Sequence, residues 1–311
     1  MKWIFITSLV FLVNADLHSQ SILLKGKEGS FRDKNRLLKV LNLVDDDWRT
    51  IKKSAFSSDK MPRNIALLTS MIMLDEISTS WMQQELHPIS SSLKGLAPLP
   101  NLYNDVPVLG KWAPGIDGWI YSGLVLSYGL GHILEKDKYA EAAILSAKSV
   151  AEGYIISHLL LKSIFARQRP KFPLNINQSD YDSSTPFVNS SLDFFNFHWP
   201  YVYSNHYGTA FPSYHWTMYF SIASVYSKTF NDSPIPYYIA GTIGLYQLSS
   251  SKHWVSDLIG GIVVGELIGK AVYENYHNVK KISHNKSKNW NMHFGLGQTD
   301  YVLVPKVTIT F

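Results

Sequence analysis

The chain has 311 residues, a formal net charge of +5, 46% hydrophobic residues and no cysteine. This length is sufficient for one large domain or two small ones with a buried core. The lack of cysteine excludes disulfides, thiolate metal sites and cysteine nucleophiles. The positive charge is modest and no basic run is interleaved with aromatic residues, which argues against nucleic acid as a partner.

The first twenty residues have the pattern of a secretory signal peptide. Lys2 provides a positive end, and residues 3–13 form an apolar run that is too short to span a bilayer and is followed by small residues. We therefore expect residues 1–20 to be removed and the protein to be exported, to the periplasm or outside the cell. An N-terminal anchor or a buried helix remains the alternative.

Residues 21–110 carry no motif that predicts chemistry. They contain an amphipathic stretch at 37–51, a predicted helix at 64–84 and a segment at 86–110 whose Pro, Ser and Gly content predicts a loop. We assign this N-terminal region no role beyond packing.

Apolar periodicity predicts a helical bundle within residues 111–277. The predicted helices are 116–134, 138–166, 214–229, 235–250 and 254–276. Charged residues interrupt the helices at 138–166 and 254–276, and Asp117 and His132 flank the one at 116–134. No predicted helix therefore offers about 20 uninterrupted apolar residues for a membrane span. The sequence therefore favours an exported globular domain, associated at most with a membrane surface, over a multi-span membrane protein.

Two further segments have distinctive compositions. The connection at 171–211 is long and aromatic, so we expect it either to cover a site and bind an apolar group or to pack its rings on the bundle. Within residues 278–311, a basic polar stretch at 280–288 predicts a linker. Alternating residues at 290–296 and 301–311 then predict a short C-terminal β-hairpin packed on the bundle.

Three clusters of polar residues could carry chemistry. They are KSIFARQRP at 162–170, PSYH at 212–215 and YQLSSSKHWVSD at 246–257. Lys162 and Arg169 are seven residues apart, about two helical turns, so a continuous helix would point both cations the same way. His253 and Asp257 are four residues apart, which on a helix places the imidazole and the carboxylate on one face.

Each cluster alone also has an ordinary structural explanation. A His and an Asp one turn apart usually form only a structural hydrogen bond, and a Lys and an Arg seven apart usually form a solvated stripe. Ser213 would serve as a helix N-cap. The occurrence of all three clusters in one order is what favours a common site.

The ordered clusters resemble the signature of the type 2 phosphatidic acid phosphatase (PAP2) superfamily, which also contains bacterial acid phosphatases and vanadium haloperoxidases. That signature reads K-x6-R-P, P-S-G-H and S-R-x5-H-x3-D. The chain departs from it at Tyr214, where the family has glycine, and at Tyr246 and Gln247, where it has serine and arginine. The resemblance implies a mainly α fold, a helical bundle of the PAP2 and haloperoxidase type, here with a short C-terminal β-hairpin.

The resemblance also implies a role for each matching residue. His253 would attack phosphorus and form a phosphohistidine, Asp257 would orient that imidazole, and His215 would protonate the leaving alcohol. The residues that would bind the phosphate oxygens are Lys162, Arg169, Ser213 and Gln247. This scheme requires neither a metal ion nor another cofactor.

Two neighbours of the first cluster receive no role. Arg167 is set aside because on a helix it would face away from Arg169. His158 lies one turn before Lys162 on the same face, but a histidine with only a core or surface role is the more common explanation.

We therefore predict a metal-independent phosphoric monoester hydrolase, of the acid phosphatase or phosphatidic acid phosphatase type, that acts on a phosphomonoester or a lipid phosphate. The alternative is a degenerate member that binds phosphate or lipid head groups without turnover. Gln247 lacks the charge of arginine, and Tyr214 hinders close approach of the backbone to phosphate. A vanadate-dependent haloperoxidase is a third hypothesis. The sequence does not identify the substrate.

Overall fold

The computed structural model describes a large part of the chain, in segments. These are residues 44–56, 61–96, 116–177, 187–197, 207–248, 252–288, 291–298 and 303–310. The predicted signal peptide lies outside the described residues. The chain divides into two compact units, the first ending at Tyr273 and the second beginning at Glu274.

The N-terminal region is helical wherever the structure describes it. Its elements are α1 (Val44–Ala55), α2 (Met61–Met73), α3 (Asp75–Trp81), a π-helical turn (Met82–Leu86) and α4 (His87–Leu96). The loop predicted at 86–110 is therefore wrong over residues 87–96, and its remainder lies outside the described residues. Pro88 follows the π-helical turn, whose wider hydrogen bonding accommodates a residue that cannot donate a helical bond.

The centre of the first unit is a helical bundle, which confirms the predicted fold class. Its elements are α5 (Ile116–Ile133), α6 (Asp137–Gly153), a π-helical segment (Tyr154–Leu161), α7 (Lys162–Phe165), α8 (Tyr214–Thr229) and α9 (Ile235–Gln247). Helix α6 contacts α5 and α8, and α8 contacts α9, which in turn contacts α4. Buried side chains from α5, α6, α8 and α9 form the core: Ile116, Val150, Met218, Tyr219, Ala223 and Ala240.

A long helix, α10 (Val255–Lys288), packs on α8 through a stripe of glycines. Gly261, Gly265 and Gly269 follow one another at one-turn spacing. A Cβ added at Gly261 would lie 2.6 Å from the carbonyl oxygen of Ser213, and one at Gly265 would press on the backbone of α8 one turn further along. Only glycine permits such a close approach of two backbones, so the stripe fixes the start of α10 against the start of α8.

The C-terminal segment differs in part from its prediction. The linker predicted at 280–288 is wrong, because α10 continues to Lys288. That stretch contains neither proline nor glycine, so nothing in it stops a helix. Two strands follow, Asn291–Gln298 and Leu303–Thr310. They pair antiparallel with Asn291 opposite Thr310, which confirms the predicted pairing of these strands, whereas their packing on the bundle stays a prediction.

One described helix is long and apolar enough to cross a membrane. It runs through α6, the π-helical segment and α7, from Asp137 to Phe165, and 61% of its most apolar window is buried inside the structure. The sequence pattern predicted no such helix. The core helix of a soluble bundle has the same properties, and α6 lies between α5 and α8.

Candidate active site

Lys162 and Arg169 are brought together by the end of a helix, and the common helix face predicted for them is wrong. Helix α7 ends at Phe165, and Ala166 adopts a left-handed conformation with φ of +42°. The chain therefore turns, and Arg169 lies in a short strand, β1 (Arg169–Pro170), which pairs parallel with β2 (Phe187–Val188). The positive charge of Arg169 still acts on Lys162.

Both cations lie in a desolvated environment. The Lys162 side chain is buried, and burial together with the charge of Arg169 lowers its pKa to about 7. Burial also lowers the pKa of Arg169 to about 10. The Arg169 Nε donates to Thr209 Oγ1 at 3.1 Å, and Lys162 Nζ lies 3.4 Å from His158 Nδ1. Two neighbouring cations with depressed pKa values would be stabilised by an anion between them.

Ser213 occupies the N-cap position of α8, as its sequence context predicts, but its hydroxyl does not cap the helix. The Oγ is buried and has no hydrogen-bond partner among the described residues. The Ser213 N–H donates to the carbonyl oxygen of Asp257 at 3.0 Å, which ties the start of α8 to the first turn of α10. A buried hydroxyl without a partner is costly, and an oxyanion would satisfy it.

His253 and Asp257 face each other across the start of α10. His253 precedes the helix by two residues, so the shared helix face expected from their spacing is wrong. The His253 Nδ1 lies 3.6 Å from Asp257 Oδ2, and the same oxygen accepts the N–H of Trp254 at 2.8 Å. Burial lowers the pKa of His253 to about 4, although Asp257 opposes the shift. The imidazole is therefore neutral at pH 7, as a nucleophile requires.

Arg167 holds Asp257 from the opposite side. Its side chain is fully buried, and it donates to Asp257 Oδ1 at 2.9 Å, to Asp75 Oδ2 at 2.7 Å and to the carbonyl oxygen of Ser191. Burial alone would raise the pKa of Asp257, but the charge of Arg167, the interactions with His253 and the Trp254 N–H together outweigh it and lower that pKa below its ordinary value. Sequence analysis missed Arg167 because the helix assumed there ends at Phe165.

Helix α3 supplies hydrogen-bond partners to the first turn of α10. Asp75 accepts the N–H of Ser256 at 2.7 Å and also the Ser256 hydroxyl. Thr79 Oγ1 accepts the N–H of Val255 at 3.1 Å. The N-terminal region thus forms part of the site, although sequence analysis assigned it only packing. One feature of the sequence could have indicated this role. Asp75 is an acidic residue inside a predicted helix that is otherwise mostly apolar.

His215 is paired with Asp117, a residue that sequence analysis did not connect with the site. The side chain of His215 is 47% exposed, and its Nε2 lies 3.2 Å from Asp117 Oδ2. The Tyr219 hydroxyl donates to Asp117 Oδ1 at 3.5 Å and is also hydrogen-bonded to Gln247. This hydrogen bond joins Gln247 to Tyr219 and Asp117.

Tyr214 and Tyr246, the other two residues that differ from the family signature, make structural contacts. Tyr214 is the first residue of α8, a helical position that does not need the positive φ available to glycine. Its ring packs edge-on against Tyr154 and His158, with centroids 5.5 and 5.9 Å away, and its hydroxyl is hydrogen-bonded to Tyr121. The Tyr246 carbonyl accepts a hydrogen bond from a serine of α4 at 3.1 Å.

A comparison with protein families is in accord with these residues. Residues 142–281 match the model described as the PAP2 superfamily. Searches among curated proteins and among solved structures found no significant match. The matched segment contains the three clusters and Arg167, whereas Asp75 and Asp117 lie outside it.

Proposed function

The part of the chain between residues 142 and 281 belongs to the PAP2 superfamily, whose members are generally phosphatases, and we propose that this protein hydrolyses a phosphate ester. The observation that carries the proposal is the convergence of residues from all three clusters around the start of α10. The charges of Lys162 and Arg169 act on His253, and the backbone of Ser213 is bonded to Asp257.

The charges and buried groups at the candidate active site favour a bound anion. Arg167 lies between two carboxylates and is balanced by them. In contrast, burial lowers the pKa of both Lys162 and Arg169, and the positive charge of Arg169 lowers the pKa of Lys162 further. A phosphate group would relieve this repulsion and give the Ser213 hydroxyl a partner, because phosphate oxygens accept strong charge-assisted hydrogen bonds.

The proposed chemistry proceeds in two steps, with His253 as the nucleophile. Asp257 faces Nδ1 of His253, which favours the tautomer with its proton there and leaves the Nε2 lone pair free. In the first step, Nε2 forms a bond to phosphorus, the bond from phosphorus to the leaving oxygen breaks, and protonated His215 gives that oxygen a proton. In the second step, water gives a proton to His215 as it attacks phosphorus, and the bond from phosphorus to nitrogen breaks.

This scheme uses only side chains of the protein and requires no metal ion. Lys162 and Arg169 would neutralise the equatorial oxygens of the phosphoryl group as it transfers, and Ser213 would donate a hydrogen bond to one of them. Gln247 is the residue least suited to its expected role as a phosphate ligand, because it is hydrogen-bonded to Tyr219.

A lipid phosphate at a membrane surface is the substrate class that the surroundings of the cluster support. Phe195 and Phe197 are each more than 60% exposed. They lie on a segment whose backbone is bonded to the end of α7 at Phe165 and Ala166. Exposed rings beside a cationic site would suit an amphiphile that presents its phosphate there. Export to the periplasm or beyond, which the N-terminal pattern predicts, would bring the protein to such a surface.

A second candidate function is binding without turnover, and Gln247 favours it. The family's arginine at this position would add a charge that a glutamine cannot supply, and the loss of one preorganised donor lowers a rate by about 10²-fold. A protein that retained Lys162, Arg169 and Ser213 would still bind phosphate or a lipid head group.

Phosphate release by the purified protein tests both functions. Phosphate release would be measured from soluble phosphomonoesters and from lipid phosphates in detergent. The proteins compared are wild type, His253→Ala and the control His87→Ala, whose ring contacts Phe172 outside the candidate active site. We expect release by wild type and the control, and its loss in His253→Ala. No release from any substrate, together with phosphate binding that is lost in Arg169→Ala, would instead support binding without turnover.

A further inference from the structure

A second pair of histidine and aspartate, His215 and Asp117, adjoins the candidate active site. Asp117 and His215 are 98 positions apart in the chain and meet where the first turns of α5 and α8 come together. Their Nε2 to Oδ2 distance is 3.2 Å, and the Asp117 side chain is only 13% exposed although that of His215 is 47% exposed. A mostly buried carboxylate that faces a half-exposed imidazole differs from a mobile surface ion pair.

The carboxylate of Asp117 is itself held in place. Its second oxygen accepts the hydroxyl of Tyr219 at 3.5 Å, and Tyr219 is a core residue that is 2% exposed. Tyr219 also has Gln247 as a hydrogen-bond partner. His215 therefore faces a group anchored to the core of the bundle, which restricts the rotation of its ring.

The geometry determines which nitrogen of His215 is available to a substrate. With Nε2 directed at Asp117, the nitrogen left for a substrate is Nδ1. We infer that Asp117 is the positioning residue of His215, orienting the imidazolium so that Nδ1–H can reach the leaving oxygen. This inference rests on the proposed phosphatase function, in which His215 is the proton donor.

The inference also explains the departure at Gln247. An arginine at this position would come close to Tyr219 and could bind the Asp117 carboxylate in a bidentate manner. A neutral glutamine bonds the Tyr219 hydroxyl and leaves the carboxylate to His215. The glutamine thus loses a phosphate ligand but preserves the pair of Asp117 and His215.

The test uses the dependence of the rate on the leaving group. A primary alkyl phosphate needs its leaving oxygen protonated, whereas 2,4-dinitrophenyl phosphate releases a stable anion without a proton. The parameter is kcat/KM, which reports only the steps up to departure of the alcohol. For Asp117→Asn we expect kcat/KM for the alkyl phosphate to fall about 10²-fold and that for the dinitrophenyl ester to change less than about threefold.

Two further variants complete the experiment. Asp117→Glu keeps a carboxylate and should restore much of the alkyl phosphate activity. Asp232→Asn removes a carboxylate that pairs with Lys228 on the surface. It should leave kcat/KM unchanged for both substrates. If Asp117→Asn does not fold, judged by thermal unfolding, Tyr219→Phe provides the test. It releases the second Asp117 oxygen and should lower only the alkyl phosphate rate, by about tenfold.

The outcomes separate this inference from the function on which it rests. An equal loss on both substrates, or no loss on either, would overturn the role of Asp117 while His253-dependent hydrolysis by wild type still supported the phosphatase. If wild type hydrolyses neither ester in a manner that depends on His253, the proposed function fails and the role of Asp117 fails with it.

Discussion

At the scale of single residues, the guanidinium of Arg167 is enclosed by opposite charge. It lies between Asp75 and Asp257, and all three side chains are fully buried. Its ring neighbours are Phe194 and Trp254, at 4.8 and 5.1 Å from the guanidinium carbon to the ring centroids. Such an arrangement orients Asp257 towards His253, but removal of the cation would leave two buried carboxylates without compensation.

Arg167→Met should lower the free energy of unfolding by about 3–5 kcal/mol, because breaking a buried ion pair by removing one partner carries a cost of that size. Chemical denaturation measures it. The matched control is Arg49→Met, which removes an arginine paired with Asp45 where both side chains are mostly exposed. That change should stay within about 0.5 kcal/mol. Equal effects of the two substitutions would contradict a structural role for Arg167.

The depressed pKa of His253 makes the stability of the protein depend on pH. In the folded protein, burial lowers this pKa from 6.5 to about 4. Between these values the unfolded chain binds a proton that the folded chain does not, so the folded state loses stability as the pH falls. The full shift corresponds to about 3 kcal/mol.

His253→Gln should remove this contribution. Urea unfolding in phosphate-free buffer at pH 6.5 and near pH 4 would give the change in unfolding free energy for each variant. We expect a smaller change for His253→Gln than for wild type, whereas the control His87→Gln should behave like wild type. Parallel pH dependence in all three proteins would show that His253 is not protected from protonation.

At the scale of elements, the contact between α8 and α10 determines whether the clusters meet. The glycine stripe allows the two backbones to touch, and the same contact brings the Ser213 N–H to the Asp257 carbonyl oxygen at 3.0 Å. A separation of the helices by even one methyl group would weaken that bond and move His253 away from Lys162. The stripe therefore serves the site as well as the fold.

Gly265→Ala should destabilise the protein by about 1–3 kcal/mol, the usual cost of overpacking, and should lower kcat of any phosphatase activity. Its Cβ would press on the backbone oxygen of Thr217. Gly241→Ala is the matched control, since it also lies in a helix and its Cβ would have nothing within 4 Å. It should stabilise the protein by up to about 1 kcal/mol. Denaturation and activity assays of both variants distinguish the two effects.

The elements also show what could be predicted from the sequence. Helix α8 was predicted at its observed bounds because proline and serine precede an uninterrupted helical pattern. The convergence of Lys162 with Arg169 depends instead on the left-handed conformation of Ala166. Alanine rarely adopts this conformation, and no residue pattern predicts it here. The contacts of Asp75 with Ser256 and of Asp117 with His215 depend on long-range packing, which local periodicity does not encode.

At the scale of the whole molecule, apolar side chains remain exposed near the candidate site. Phe172, Leu192, Phe195 and Phe197 are each more than half exposed and belong to the connection between the first two clusters. The chain also carries a net charge of +5. Together these features favour association with an anionic lipid surface, through ring insertion and through electrostatic attraction that salt screens.

Phe195→Ser combined with Phe197→Ser should weaken binding to phosphatidylglycerol vesicles about tenfold or more, since a partly buried phenylalanine contributes on the order of 1 kcal/mol. Cosedimentation at low and high salt would measure the binding. Tyr238→Ser, which removes a ring that is 73% exposed on α9, is the control and should bind like wild type. Equal binding by the three proteins would exclude these rings as the contact.

The hydrogen bond from the Ser256 N–H to Asp75 joins residues 181 positions apart. During synthesis, α3 therefore leaves the ribosome long before the segment that it must cap. Until residue 257 has emerged and docked, Arg167 lacks one of its two carboxylates and His253 has no orienting partner. Closing so long a loop is among the slower events of folding. Any phosphatase activity of this protein would thus appear during refolding only when the native state is complete, and incomplete chains would lack it.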